Sequence, residues 1–69
     1  MLSEDMAEAA EREYPILDKI YEDQTVIRVS GKRVEFDSVK FVRCRMEECD
    51  FSGASFCNVV FDKCDFSNC

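Results

Sequence analysis

All six phenylalanines of this 69-residue chain fall in one phase of a five-residue period. From residue 34 the sequence divides as VEFDS-VKFVR-CRMEE-CDFSG-ASFCN-VVFDK-CDFSN-C. The third place of successive units reads Phe36, Phe41, Met46, Phe51, Phe56, Phe61 and Phe66. The first place reads Val34, Val39, Cys44, Cys49, Ala54, Val59, Cys64 and Cys69. With five phases open, chance would align the Phe residues roughly three times in ten thousand. The period excludes the common elements. An α-helix turns about 500° over five residues, which scatters Phe around the cylinder. A flat strand alternates faces, so side chains five apart point to opposite sides. A chain that turns a corner every five residues points each third-place side chain inward again. One small and one large inward side chain per unit then fill a narrow column.

Cys49-Asp50-Phe51-Ser52-Gly53 and Cys64-Asp65-Phe66-Ser67-Asn68 are the clearest units, and Val39-Lys40-Phe41-Val42-Arg43 and Cys44-Arg45-Met46-Glu47-Glu48 are looser. The pattern resembles the pentapeptide-repeat proteins, whose unit is a small residue, a polar one, Leu or Phe, and two mostly polar ones. The resemblance implies a mainly β fold: a right-handed, four-sided β-helix, or solenoid, with four units per coil and about two coils here. Residues twenty apart then stack, Phe36 under Phe56, Phe41 under Phe61, Met46 under Phe66, Val39 under Val59, Cys44 under Cys64 and Cys49 under Cys69. Neighbouring coils lie about 4.8 Å apart. The expected core is Val34, Phe36, Val39, Phe41, Cys44, Met46, Cys49, Phe51, Ala54, Phe56, Val59, Phe61, Cys64 and Phe66. Lys40, Arg43, Asp50, Asn58 and Lys63 are expected outside.

Two segments follow from this division: an acidic helical arm over residues 1–25 that caps the solenoid, and the β-helix over residues 26–69. Ser3 is the expected N-cap, with Glu4 and Asp5 in the first turn, where the helix dipole favours acids. Residues 6–13 are rich in strong helix formers. Pro15 disfavours helix at Tyr14, and the spacing of Ile16, Leu17, Ile20 and Tyr21 predicts a second short helix. Leu2, Met6, Ala9, Ala10, Leu17, Ile20 and Tyr21 would form one apolar stripe over the solenoid end. In residues 26–33, Val26 and Val29 fit the repeat frame but Gly31 breaks its third place. A degenerate first coil is preferred there over a hairpin turning at Ser30-Gly31.

Little in the sequence points to chemistry. There is no His, no Gly-rich phosphate loop and no paired carboxylate in an evident cleft, so no catalytic residue and no cofactor is expected. Four of the five Cys occupy first places, and only Cys57 does not. Without His or a Cys-x2-Cys pair they read as small core side chains rather than metal ligands. Stacked Cβ atoms about 4.8 Å apart exceed disulfide reach, so free thiols are expected, with Cys57 the one reactive position. The odd cysteine count and an acidic N-terminus without a signal-like apolar run point to the cytoplasm, with no membrane segment.

Residues 1–25 hold eight acidic and two basic side chains, whereas residues 26–69 hold seven of each. The basic residues are interleaved with acids, so no nucleic acid is expected as a partner. Three functions stand. The first is a non-catalytic protein-interaction scaffold, its partner a second copy through the C-terminal coil or another protein. The second is implied by the resemblance, since some of these proteins bind DNA gyrase as DNA mimics; the neutral repeat region weighs against it. The third is an incomplete fragment of a longer solenoid without independent function, because the chain stops at Cys69 on the first place of a further unit.

Overall fold

The computed structural model describes all residues, 1–69. A helix, α1 (Leu2–Arg12), precedes nine short strands: β1 (Ile16–Leu17), β2 (Ile20–Glu22), β3 (Thr25–Ile27), β4 (Glu35–Asp37), β5 (Lys40–Val42), β6 (Arg45–Glu47), β7 (Ser55–Cys57), β8 (Val60–Asp62) and β9 (Asp65–Ser67). They form three parallel sheets, ordered β1-β4-β7, β2-β5-β8 and β3-β6-β9. Partners lie twenty residues apart: Ile16, Phe36 and Phe56 pair in series, as do Tyr21, Phe41 and Phe61, and Val26, Met46 and Phe66. The chain is a short, four-sided β-helix. Coil one spans residues 14–33, coil two 34–53 and coil three 54–69. On the fourth side a turn replaces the strand. It is tied by a Ser30–Asp50 bridge and closed by Val34 N–H to Gly31 O (3.1 Å) and Ala54 N–H to Phe51 O (3.0 Å).

The period of five is made at the corners. Every fifth residue from Glu13 to Asn68 has φ between 50° and 70°, and only Gly53 among them is glycine. The left-handed conformation costs a residue with a Cβ about 1 kcal/mol. Asp18, Asp23, Asn58 and Asn68 bear it best, because a short polar side chain can bond locally. The backbone gains ladder bonds in return. Fifth-place N–H groups donate upward, as Asp23 to Val42 O (2.9 Å) and Arg43 to Asp62 O (2.8 Å). Second-place N–H groups donate downward, as Lys40 to Lys19 O (2.9 Å) and Val60 to Val39 O (3.0 Å). Glu13 is at once the left-handed C-cap of α1, its N–H on Ala9 O, and the first corner in phase with the rest. The helix therefore ends by entering the solenoid.

Third-place side chains fill the axis. Phe36 stacks on Phe56 with ring centroids 5.0 Å apart, and Phe41 on Phe61 at 5.1 Å. Successive rings along the chain meet edge-on, Phe36 against Phe41 at 66°. Both geometries suit the aromatic quadrupole. Val34, Phe36, Val39, Phe41, Cys44, Met46 and Cys49 are buried, with Ile16, Tyr21 and Val26 beneath them.

The structure corrects several expectations. The second short helix is instead β1 and β2, so the repeat frame begins near residue 14 rather than 26, and the stack holds almost three coils. Pro15 and the Asp18 and Asp23 corners explain this: they favour extended backbone and left-handed turns over helix. The preferred first coil over residues 26–33 is present, with no hairpin. Leu17 and Ile20 are exposed on the outer faces rather than under the helix. Ser3 is not the N-cap; the helix starts at Leu2, capped by Met1 without a side-chain bond. Phe51 at the close of coil two and Ala54, Val59 and Cys64 in coil three are only partly buried, and Phe56, Phe61 and Phe66 are exposed. They point inward as the period requires, but no coil lies above to cover them.

Candidate interaction surface

The two ends of the coil stack differ. At the N-terminal end, α1 lies across coil one and buries Leu2, Met6 and Ala9. Gly31, the apparent break in the repeat, is what admits it. A Cβ at Gly31 would lie 3.0 Å from Met6 Cε and equally close to the Phe51 ring. Met6 thus occupies the axial space that a third-place side chain would otherwise fill. Two polar contacts fix the helix. The Tyr21 hydroxyl donates to Asp5 Oδ2 at 2.7 Å, and Leu2 N–H donates to Gln24 Oε1 at 3.4 Å. Burial, then the Asp5 hydrogen bond, pushes the Tyr21 pKa well above its ordinary value. The neutral hydroxyl is the form that serves as donor.

The C-terminal end is bare. Phe56, Phe61 and Phe66 are 41–44% exposed, whereas Phe36 and Phe41 one coil below are 1% exposed. The three rings tile the end edge to face, at 62° between Phe56 and Phe61 and 80° between Phe61 and Phe66. Strands β7, β8 and β9 are the outer members of their sheets. Fifth-place N–H groups bond upward from Asp18 through Glu48, but those of Asn58, Lys63 and Asn68 have no coil above to receive them. An apolar tile framed by free strand edges is a surface that recruits a partner.

The cysteines act as a bonded ladder. Cys44, Cys49, Cys64 and Cys69 each direct Sγ at the carbonyl 23 residues earlier, those of Tyr21 (3.3 Å), Val26 (3.8 Å), Phe41 (3.3 Å) and Met46 (3.5 Å). The first place thus takes a small side chain that also carries a weak donor. Burial raises the Cys44 and Cys49 pKa values, which holds those thiols protonated. All five thiols are unpaired, and Cys69 is exposed along with Cys57. Cys69 lies on the bare end, which its phase alone does not reveal.

Three arginines on the sides are paired with carboxylates, mostly on the neighbouring coil. Arg43 grips Asp23 through two bonds, at 2.7 and 3.2 Å, and this guanidinium lowers the Asp23 pKa. Arg28 faces Glu48 at 3.2 Å, and Arg45 faces Glu47 at 3.1 Å and Asp65 at 3.8 Å. Asp50 accepts from Ser52 N–H (2.9 Å) and its hydroxyl (2.6 Å), fixing the turn of the fourth side. At the arginine positions carboxylates face cations rather than one another. No group of three or more His, Cys, Asp or Glu gathers where a metal ion would sit. No helix is long and apolar enough to cross a membrane.

The family model for pentapeptide repeats matches residues 34–69, in eight copies. The chain belongs to the pentapeptide-repeat family. No curated protein and no solved structure matches it. Coil one lies outside the matched residues, although its Ile16, Tyr21 and Val26 continue the same register. Sequence reasoning reached only its last part, residues 26–33. Its signal is the five-residue step of those third-place residues, together with Asp18 and Asp23 at the corners.

Proposed function

We propose that this pentapeptide-repeat protein is a non-catalytic interaction scaffold whose bare C-terminal end binds protein, either a second copy of the chain or another protein surface. One observation carries the reading: the exposure of Phe56, Phe61 and Phe66 on an end whose strand edges are free. Association removes apolar surface from water and satisfies the edge at once. Cys44 and Cys49, used as buried unpaired thiols, support a reducing, cytoplasmic setting. Sedimentation equilibrium over a concentration series tests self-association, with Phe61→Lys as the control. The expected result is a mass that rises above 8.0 kDa with concentration and a rise that Phe61→Lys abolishes. A folded species of constant 8.0 kDa would rule self-association out.

A further inference from the structure

We infer that the two ends of the coil stack are complementary to each other, that α1 occupies one of them, and that displacing α1 lets copies of the chain add head to tail. The inference rests in part on the bare end being a binding surface, as proposed above. The occupant follows from an interface already present twice in the molecule, coil one against coil two and coil two against coil three. Placing a second copy's coil one on coil three continues that interface in the same register. The second copy's Ile16, Tyr21 and Val26 then lie over Phe56, Phe61 and Phe66. Within one molecule those same residues already stack on Phe36, Phe41 and Met46, with Tyr21 and Phe41 ring centroids 5.6 Å apart.

The backbone matches as well. The free N–H groups of Asn58, Lys63 and Asn68 would meet the second copy's Leu17, Glu22 and Ile27 carbonyls, repeating the pattern of Ser38, Arg43 and Glu48. In return the second copy's Ile20 and Thr25 N–H groups would meet the Val59 and Cys64 carbonyls, as those of Lys40 and Arg45 meet Lys19 and Gln24. Pro15 has no N–H, so the first side gains one bond fewer. The fourth side stays open, because coil three has only three sides.

While α1 is docked this surface is taken, since Leu2, Met6 and Ala9 cover the lower face of coil one. A capped chain has a single open end, so copies meeting through it stop at two; an uncapped chain has two different ends and grows without closure. Charge favours the same outcome. Residues 1–13 carry five acidic and one basic side chain, so moving them away from the junction leaves a solenoid of formal charge −2 in place of −6.

The test is sedimentation velocity of the full chain across a concentration series, wild type beside Leu2→Glu/Met6→Glu, with circular dichroism to confirm the sheet signal. The double variant should form species whose mass climbs through multiples of 8.0 kDa past two copies, while wild type stops at two or fewer. Adding Phe61→Lys to the double variant should abolish the growth. A folded double variant no larger than wild type would overturn the inference. So would growth that survives Phe61→Lys, or a wild type that grows without limit with α1 docked. If the double variant loses its sheet, Gly31→Leu takes its place, because its side chain fills the Met6 space and gives the repeat its missing third-place residue. The same growth is then expected, and its absence overturns the inference. A wild type that stays single while the variant grows would sink self-association of the capped chain and leave this inference standing.

Discussion

Phe41→Ala and Phe61→Ala remove the same ring from the same column one coil apart, and they should differ about twofold in cost. Phe41 is 1% exposed, with Tyr21 at 5.6 Å on one side, Phe61 at 5.1 Å on the other and Phe36 edge-on at 5.8 Å. Truncating such a ring costs about 3–5 kcal/mol in lost burial and the cavity left behind. Phe61 is 41% exposed, and its removal opens a dent to solvent rather than a sealed cavity. Scaling by buried area leaves about 2 kcal/mol. A domain this small holds roughly 3–10 kcal/mol in all. Phe41→Ala should therefore consume most of the stability, while Phe61→Ala leaves a folded protein. The assay is urea unfolding followed by circular dichroism at the lowest workable concentration. With a slope near 1 kcal/mol per molar urea, the two midpoints should lie about 2 M apart. Equal midpoints at that dilution would refute the reasoning, because they would mean coil three is as enclosed as coil two.

Three further outcomes are expected. Tyr21→Phe removes the hydrogen bond to Asp5 and should weaken helix docking by about 1 kcal/mol, read as loss of helical signal before the sheet melts. In the wild type that contribution belongs to the neutral hydroxyl, whose pKa is raised in the folded state. It is present in full below the ordinary value of 10.0 and is lost as pH climbs beyond it, so an alkaline melt that spares the helix signal would count against the contact. Gly53 sits at φ 70°; Gly53→Asn should be nearly neutral and Gly53→Val destabilising by about 1–2 kcal/mol, and equal melting temperatures would contradict the corner argument. Thiol labelling should be fast at Cys57 and Cys69, slower at Cys64, and tied to unfolding at Cys44 and Cys49, with five thiols titrated in denaturant; fast labelling of Cys44 would mean the column is not closed there.

Legibility in the sequence followed the physics of each part. Coil two was readable because Phe36, Phe41 and Met46 alternate in phase with Val34, Val39 and Cys44, a pattern that helix and flat strand both exclude. The first part of coil one, residues 14–25, was hidden because this coil rests on a helix rather than on another coil. Its first places, Tyr14, Lys19 and Gln24, need not be small, and Ile16 and Ile20 stand four apart as they would on a helix. Gly31 looked like a fault in the repeat. It is the space Met6 enters, a relation between residues 25 apart that no local pattern carries. The C-terminal coil was legible as the place where a second copy would meet, but periodicity gives the direction of Phe56, Phe61 and Phe66 and not how far they are covered. The corners, by contrast, leave a visible trace in Asp18, Asp23, Gly53, Asn58 and Asn68, residues that enter the left-handed region readily.

Residue-by-residue amide exchange across a dilution series tests the central claim, a coil stack plugged at one end and open at the other. The N–H groups of Ser38, Arg43 and Glu48, bonded to the Cys57, Asp62 and Ser67 carbonyls, should be protected at every concentration. Those of Asn58, Lys63 and Asn68 should exchange freely when dilute and gain protection as concentration rises. Protection of Asn58, Lys63 and Asn68 equal to that of Ser38, Arg43 and Glu48 at the highest dilution would contradict the account, because the C-terminal end would then not be open.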